Sequence, residues 1–276
     1  MLHPCAKINL GLNIVSRRPD GYHNLETVFY PIPLYDTLEV VAEPLADTPA
    51  LVITGNAVEG PPERNLVVRA YQLLAADYDL PNVSIRLHKT IPSQAGMGGG
   101  SSDGAFMLRL LNDQFQLGID TSRLQQYAMK LGADCPFFIT SEPAFATGIG
   151  EQLEPLPRLS QLMRGLYIAI VKPPVAVSTR DAYAAITPCK PNHCCRDIVG
   201  QPVDEWRNLL TNDFEPPLFA IHPQLAAIKT KLYDMGAIYA QMSGSGSALF
   251  GLFASMPQQL EQSFPDCFTY ASHVFL

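Results

Sequence analysis

A glycine-rich segment at residues 96–103 has the composition of a phosphate-binding loop. It reads GMGGGSSD, so four glycines fall within five residues, and a helical pattern follows at once. Glycines let backbone N–H groups approach an anion closely, because no Cβ intervenes. Ser101 or Ser102 is predicted to cap the helix, so that the positive end of the helix dipole faces the phosphates.

Two better-known nucleotide loops are excluded by the same residues. A Walker loop needs Gly-Lys-Ser/Thr, and no lysine lies between Thr90 and Asp103. A Rossmann fingerprint needs G-x-G-x-x-G, which Gly96, Gly98 and Ser101 match poorly. For the glycine run alone, a flexible turn between a strand and a helix remains the structural alternative.

The elements that must position this loop indicate an α+β fold. Residues 5–15 alternate strictly, with Lys7 and Asn9 opposite an apolar face, which predicts a strand. The other predicted elements are helices at residues 65–77, 101–115, 122–131 and 221–233, and strands at residues 83–88, 167–171, 238–242 and 248–253. Gly132 is predicted to end the third of these helices.

A stretch at residues 151–164 contains Pro155 and Pro157 and shows little periodicity. We place a domain boundary there, which gives an N-terminal domain of residues 1–155 and a C-terminal domain of residues 156–276. A chain of 276 residues is long enough for two modest domains.

Composition and charge argue against several classes of function. A net charge of −7 argues against general binding to nucleic acid or to an anionic membrane. The N-terminus lacks a signal-peptide pattern and the apolar runs are too short to span a bilayer, so a cytoplasmic location is predicted. The six cysteines are then predicted to be free thiols, and the loop containing Cys189, His193, Cys194 and Cys195 lacks the spacing of a zinc site.

Several separated segments resemble the GHMP kinase superfamily. The glycine–serine loop resembles its phosphate-binding motif, and LGADCPFF at residues 131–138 resembles its catalytic Gly-Ala-Asp-x-Pro stretch. NDFE at residues 212–215 and MSGSGSALFG at residues 242–251 fall where that superfamily carries comparable motifs. AKINLGLNIVSRRPDGYHNLET at residues 6–27 resembles the opening of one branch, whose members phosphorylate 4-diphosphocytidyl-2-C-methyl-D-erythritol in the non-mevalonate isoprenoid pathway.

The resemblance implies a two-domain GHMP kinase fold. The N-terminal domain would be like ribosomal protein S5 domain 2 and the C-terminal domain ferredoxin-like, with ATP and substrate meeting in the cleft between them. The chain departs from the pattern at residues 93–95, where a more glycine-rich approach to the loop is expected. Asp103 stands where asparagine is common, and its charge would suit a helix start or a magnesium neighbour.

The resemblance implies that Asp134 is the catalytic base and that Lys7 is its catalytic partner. Asp134 would accept the proton of the acceptor hydroxyl, and Lys7 would orient that carboxylate. Asn9 shares the face of Lys7 and would contact the substrate. The structural alternatives are a helix-terminal Asp134 with local hydrogen bonds, and a solvated strand face for Lys7 and Asn9.

The substrate residues implied by the resemblance lie in two segments. Tyr22 and His23 follow a turn and would recognise cytosine, with the aromatic ring stacking and His23 bonding the base edge. Thr179 and Tyr183 come from the C-terminal domain, and Tyr183 would sandwich the cytosine against Tyr22. The alternative for Tyr22 and His23 is ordinary surface packing.

The cofactors implied are ATP and Mg²⁺, with the magnesium ligands unassigned. Asn65 and Lys89 are candidates near the adenine or ribose, or else a helix cap and a solvated strand end. Residues 243–246 are either a second anion-binding turn or simply a tight turn. The predicted ATP-binding residues are Asn65, Lys89, Pro92, Gly96, Gly98, Gly99, Gly100, Ser101 and Ser102.

These implications predict transfer of the ATP γ-phosphoryl group to the 2-hydroxyl of the cytidyl sugar alcohol. The predicted partner is that small molecule alone, and the chain is predicted to be a monomer or weak homodimer. One alternative is another GHMP kinase, of the homoserine or mevalonate type. Others are a non-catalytic ligand sensor, which would have lost Asp134 and Lys7, and an unrelated nucleotide-binding module.

Overall fold

A computed structural model describes residues 1–43 and 50–274 of the chain. The chain divides into two compact units whose segments interleave along the sequence. The first unit comprises Met1–Ala6, Leu34–Ser93 and Gly98–Ser141, and the second comprises Lys7–Pro33, Gln94–Met97 and Glu142–Leu276. Because each unit is built from several separate segments, the units do not test a single boundary in the sequence. The boundary between residues 155 and 156 stays a prediction.

The described residues form strands and helices in a mixed order, which confirms the α+β prediction. The strands are β1 (Cys5–Arg17), β2 (His23–Tyr35), β3 (Thr37–Ala42), β4 (Ala50–Gly55), β5 (Val83–Lys89), β6 (Ala144–Thr147), β7 (Gln152–Pro155), β8 (Tyr167–Lys172), β9 (Tyr239–Met242), β10 (Leu249–Phe253) and β11 (Phe268–His273). The helices are α1 (Leu66–Ala75), α2 (Gly99–Gln114), α3 (Thr121–Leu131), α4 (Phe137–Thr140), α5 (Leu159–Leu162), α6 (Thr179–Ala184), α7 (Cys195–Ile198), α8 (Glu215–Ile221), α9 (Pro223–Asp234) and α10 (Leu260–Ser263), with 3₁₀ turns at Pro62–Arg64 and Val203–Asn208.

The second unit contains two sheets. One has the strand order β1-β2-β6-β7, and the other has the order β11-β8-β10-β9 with antiparallel neighbours. The core of this unit joins apolar side chains of β1, β8 and β10 to those of α8 and α9, such as Ile14, Val171, Leu249, Leu218 and Leu232. The predicted strands at residues 167–171, 238–242 and 248–253 are therefore confirmed, and they share one sheet.

Strand β1 is buried on both faces along most of its length. All ten residues from Cys5 to Ile14 are buried, including the polar residues at every second position. The sequence pattern predicted one apolar face only. Polar side chains on a doubly buried strand must find partners within the protein, because burying them unpaired is costly.

The first unit contains a three-stranded sheet and a group of helices. The strand order is β3-β5-β4, with β3 antiparallel and β4 parallel to β5. Helix α2 packs against α1, α3 and α4. Helices α1 and α3 confirm the helices predicted at residues 65–77 and 122–131, and Gly132 caps the C-terminus of α3 as predicted.

Two predicted elements differ from the structure. The helix predicted at residues 221–233 is α9, which begins two residues later than predicted: Ile221 ends α8, His222 is non-helical (φ −125°, ψ 75°), and Pro223 starts the new helix. The aperiodic stretch at residues 151–164 contains the short strand β7 and the single-turn helix α5. Elements this short carry too few residues to show a period.

No helix among the described residues has the length and apolar character that crossing a bilayer requires.

Helix α2 contains two glycines in contrasting surroundings, which gives a stability prediction. A Cβ on Gly104 would lie 2.9 Å from the Cβ of Leu66, whereas a Cβ on Gly100 would meet no atom of the described chain within 4 Å. Alanine gains about 1 kcal/mol of helix propensity over glycine, but overpacking costs about 1–3 kcal/mol. Gly104→Ala should therefore lower the melting temperature, and Gly100→Ala should leave it unchanged or raise it. Equal stabilisation by both substitutions would contradict the close α1–α2 contact.

Candidate active site

Lys7 and Asn9 lie side by side on β1 in the second unit. Their exposed fractions are 3% and 2%. Lys7 Nζ donates to Asn9 Oδ1 at 2.6 Å and lies 4.9 Å from the centre of the Phe29 ring. Asn9 Nδ2 donates to Thr27 Oγ1 at 2.9 Å, so the ammonium group is held within a buried polar chain. The alternative of a solvated strand face for Lys7 and Asn9 is wrong.

The glycine loop begins in the second unit, where residues 94–97 are tightly anchored. Lys7 N donates to Met97 O at 3.0 Å, and Ser243 Oγ donates to Gly96 O at 2.9 Å. Gly96 has a φ of +74°, and a Cβ there would lie 2.0 Å from the Ser243 carbonyl oxygen. Only glycine fits this position, because a side chain would be strained by the backbone angle and would overlap the neighbouring backbone.

The loop continues in the first unit as the start of α2. Gly98, in the left-handed region at φ +70°, is the N-cap residue. The first helical bond runs from Ser102 N to Gly98 O at 2.8 Å, so helix geometry leaves the preceding N–H groups of Gly99, Gly100 and Ser101 without an intrahelical partner. The predicted cap by Ser101 or Ser102 is wrong, since both residues lie inside the first turn. The donors and the helix dipole expected of an anion site are nevertheless present.

Lys89, at the end of β5, forms a buried ion-pair triad with two aspartates of the first unit. Its Nζ lies 2.6 Å from Asp103 Oδ2 and also contacts Asp36 Oδ2. Asp36 Oδ1 accepts hydrogen bonds from Thr90 N at 2.6 Å and Ile91 N at 2.9 Å. The alternative of a solvated strand end for Lys89 is wrong, since it is 4% exposed. The triad ties the chain entering the glycine loop to the first turn of α2.

Two buried oxygen atoms beside the triad are candidates for a cation. Within the described structure, Ser102 Oγ and Asp103 Oδ1 are buried and have no hydrogen-bond partner. Burial raises the pKa of Asp103 to about 8, and the carboxylate of Asp36 adds to this rise while Lys89 opposes it. Two carboxyls share one ammonium here, so a proton or a cation would offset the remaining charge.

Asn65 and Pro92 are the remaining predicted ATP residues of the first unit. The Asn65 side chain caps α1, because its Oδ1 accepts from Val67 N at 3.0 Å, so the structural alternative is confirmed. Pro92 is half-buried, just before the glycine loop. The nucleotide-binding roles of Asn65, Lys89 and Pro92 stay predictions.

Asp134 lies on the turn between α3 and α4 in the first unit. Gly132 ends α3, and the buried side chains of Cys135 and Phe137 follow directly, so Asp134 is half-buried on a well-packed turn. Burial raises the pKa of Cys135 to about 12, so this thiol stays protonated at neutral pH. The catalytic role of Asp134 stays a prediction.

Tyr22 and His23 of the second unit have different surroundings. Tyr22 is 62% exposed and follows a turn in which Arg18 N donates to Tyr22 O at 2.8 Å. His23 stacks on Tyr183 with ring centroids 5.1 Å apart and planes inclined by 22°. Tyr183 also meets the edge of Phe214 at 5.0 Å. The structure therefore brings His23 and Tyr183 together, whereas the cytosine sandwich between Tyr22 and Tyr183 stays a prediction.

Thr179 is the first residue of α6 in the second unit. Ser178 caps this helix. Thr179 Oγ1 lies 3.2 Å from Ser245 Oγ, which belongs to the turn at residues 243–247, called the serine–glycine turn below. The structure thus connects one predicted substrate residue to the turn that also holds Gly96.

Sequence reasoning missed several residues that hold these groups. Asn212 donates to Met242 O and Gly244 O at 2.8 and 2.9 Å, although NDFE was noted only as a family motif without roles. Glu215 of the same motif accepts from Met242 N at 2.8 Å. No pattern in the sequence around Asp36 could have identified its role, because its partner Lys89 lies 53 residues away.

Comparisons with known proteins agree with this arrangement of loops and strands. The family model described as "GHMP kinases N terminal domain" matches residues 65–142, and the model described as "GHMP kinases C terminal" matches residues 197–266. A structure of a homoserine kinase from Cytophaga hutchinsonii is 17% identical with a TM-score of 0.66 and covers 99% of this chain and 96% of that one, a likeness of fold alone. The fold and the two family models together show that the chain is a GHMP kinase. Members of this family use ATP.

Closer relatives narrow the assignment. The 4-diphosphocytidyl-2-C-methyl-D-erythritol kinase of Parabacteroides distasonis is 51% identical over 97% of both chains. A crystal structure of a 4-(cytidine 5'-diphospho)-2C-methyl-D-erythritol kinase is 32% identical, with a TM-score of 0.82, and covers 98% of this chain and 97% of that one. The chain belongs to the family of 4-diphosphocytidyl-2-C-methyl-D-erythritol kinases.

The buried triad predicts how stability depends on pH. Asp103 keeps its proton in the folded protein up to about pH 8, whereas an unfolded aspartate loses it near pH 4. The stability that this proton contributes is present below about pH 4 and is lost as the pH rises through about 8. Asp103→Asn has no such proton to lose, so its melting temperature relative to the native protein should rise between pH 5 and pH 9.

The matched control is Asp113→Asn, an exposed position on the same helix. Its offset from the native melting temperature should stay constant over the same pH range. Parallel pH profiles for Asp103→Asn and the native protein would contradict the raised pKa of Asp103.

Proposed function

We propose that this chain transfers the γ-phosphoryl group of ATP to the 2-hydroxyl of 4-diphosphocytidyl-2-C-methyl-D-erythritol, in the non-mevalonate route to isoprenoids. The observation that carries this proposal is the 51% identity, over 97% of both chains, to a kinase named for that acceptor. Two features support it: the buried ammonium of Lys7 beside Asn9 on β1, and the backbone N–H groups of the glycine loop, which can donate hydrogen bonds to an anion. Phosphoryl transfer uses groups of both kinds.

In the proposed reaction, Asp134 accepts the proton of the 2-hydroxyl. The hydroxyl oxygen forms a bond to the γ-phosphorus, the bond from that phosphorus to the β-phosphate oxygen breaks, and ADP leaves. Lys7 supplies positive charge and orients the base, as the family motif implies. Its buried ammonium is fixed by Asn9, and a fixed charge in a low-dielectric site stabilises developing negative charge without reorganisation.

The N-terminus of α2 is proposed to hold the nucleotide phosphates. The N–H groups of Gly99, Gly100 and Ser101 precede the first helical bond, and the helix dipole favours an anion at that end. Glycine at residues 99 and 100 leaves room for a close approach of the phosphates.

Mg²⁺ fits the oxygen atoms near the loop. Among the described residues, no group of three His, Cys, Asp or Glu side chains is arranged to hold a metal ion. Mg²⁺ commonly binds through one or two protein oxygens, waters and nucleotide phosphates, and the orphaned Ser102 Oγ and Asp103 Oδ1 are of that kind. When bound, Mg²⁺ would neutralise phosphate charge.

The cytidyl group is proposed to bind at Tyr22, His23, Thr179 and Tyr183, with Asn9 contacting the substrate. The exposed ring of Tyr22 offers a face for base stacking. His23 lies on the Tyr183 ring, which limits how it turns and leaves its ring nitrogens to bond a base edge. The cytoplasmic location, the monomeric or weakly dimeric state and the lack of nucleic-acid binding stay predictions.

The test of this function is ADP release measured with three alcohols: the cytidyl compound, homoserine and mevalonate. We expect kcat/KM for the cytidyl compound to exceed the others by about 1,000-fold or more, because sites built to bond polar groups reject ligands that lack them. Phosphorus NMR of the product should show a new phosphomonoester on the 2-hydroxyl. A rate of ADP release that does not change when the cytidyl compound is added would overturn the proposal.

Asp134→Asn tests the role of the base. The amide cannot accept the proton, so we expect kcat to fall by about 10²–10⁴-fold while ATP binding, measured by titration calorimetry, stays near the native value. Asp113→Asn serves as the control, because it makes the same chemical change at an exposed position. Turnover at the native rate by Asp134→Asn would show that Asp134 is not the catalytic base. Absence of turnover in the native chain would favour the alternative of a non-catalytic ligand sensor.

A further inference from the structure

The turn between β9 and β10, residues 243–247, contacts two functional segments of the second unit. On one side, Ser243 Oγ donates to Gly96 O of the glycine loop at 2.9 Å. On the other side, Ser245 Oγ lies 3.2 Å from Thr179 Oγ1, and Ser247 donates to Val175 O of the same segment. One short turn therefore meets both the proposed ATP loop and the segment proposed to bind the cytidyl group.

This turn is held in one conformation by buried hydrogen bonds. Asn212, 1% exposed, donates from its amide to Met242 O and to Gly244 O. Asn212 Oδ1 in turn accepts from Phe214 N at 2.9 Å. The two carbonyls held by Asn212 flank Ser243, so the hydroxyl that reaches Gly96 starts from a fixed backbone.

Two backbone donors of the turn are already bonded within the protein. Ser243 N donates to Ala248 O at 2.9 Å, and Gly246 N donates to Ser243 O at 3.0 Å. The hydroxyl of Ser243 is likewise used by Gly96. These contacts favour a supporting role for the turn over the second anion-binding site considered from the sequence.

We propose that Ser243 and Ser245 are positioning residues for the two substrates of the kinase, each acting through a different segment. Ser243 fixes the glycine loop through Gly96, and Ser245 fixes the hydroxyl of Thr179. This assignment rests on the proposed function, because it takes Gly96 as part of the ATP site and Thr179 as part of the cytidyl site.

The test compares the KM values for ATP and for the cytidyl compound in Ser243→Ala and Ser245→Ala. Loss of one hydrogen bond of ordinary strength corresponds to about fivefold in affinity. Ser243→Ala should raise the KM for ATP about fivefold and leave the KM for the cytidyl compound near native, and Ser245→Ala should do the reverse. Ser255→Ala, an exposed serine just beyond β10, is the control and should change neither.

A double-mutant cycle separates positioning by Ser245 from direct contact with the substrate. Thr179→Val removes the hydroxyl that Ser245 holds and keeps the branched shape of the side chain. If Ser245 acts through Thr179, Ser245→Ala should change the cytidyl KM by less than about twofold in the Thr179→Val background. A full fivefold change in that background would overturn the positioning role.

The outcomes distinguish this proposal from the function on which it rests. If the native chain releases ADP with the cytidyl compound, but the serine variants raise both KM values equally or neither, the positioning roles are wrong and the function stands. If the native chain does not use the cytidyl compound, the proposed function is wrong and the assignment of Ser245 falls with it. Thermal melting of each variant should stay within about 4 °C of native, which excludes general unfolding.

Discussion

The glycine loop depends on a close approach of backbone to backbone at Gly96. A Cβ at this residue would lie 2.0 Å from the Ser243 carbonyl oxygen, and no real side chain tolerates such a contact. The same few residues are anchored by hydrogen bonds from Ser243 Oγ and from Lys7 N. The loop is thus fixed against β1, which carries Lys7 and Asn9, and against the serine–glycine turn. Two residues after Gly96, Gly98 lies at the N-cap of α2.

Each unit contains a buried lysine that is hydrogen-bonded to polar side chains of the same unit. Lys7 is bonded to Asn9, while Lys89 is shared by Asp36 and Asp103. Burying such groups is expensive and needs partners, so a buried ion pair is weak evidence for added stability. Positive charge held in place near phosphates is what a phosphoryl-transfer enzyme requires.

Much of the fold was predictable from the sequence, because long elements repeat their apolar positions. The strand containing Lys7, the helix following Asn65 and the β9–β10 pair are confirmed in type and in approximate extent. The site loop was predictable from its glycines, and the family motifs supplied the roles of Asp134 and Lys7, which stay predictions until they are measured.

The remaining features depend on contacts between residues far apart in sequence. The partners Asp36 and Lys89 are 53 residues apart, and a periodic pattern carries no information about such pairs. The stacking of His23 on Tyr183 and the burial of both faces of β1 likewise arise from tertiary packing. The helix N-cap at Gly98 was missed because serine is the commoner capping residue, whereas here the backbone turn at a positive φ starts the helix.

The most direct test of this account is the steady-state kinetics of Gly96→Ala, with Gly118→Ala as its control. Both glycines have a positive φ, +74° and +68°, but a Cβ on Gly118 would meet no atom of the described chain within 4 Å. We predict that Gly96→Ala lowers kcat/KM for ATP by about 100-fold or more, since displacing a positioning loop by about 1 Å has effects of that size. Gly118→Ala should keep the native value. A native kcat/KM for Gly96→Ala would contradict the claim that this close approach sets the geometry of the glycine loop.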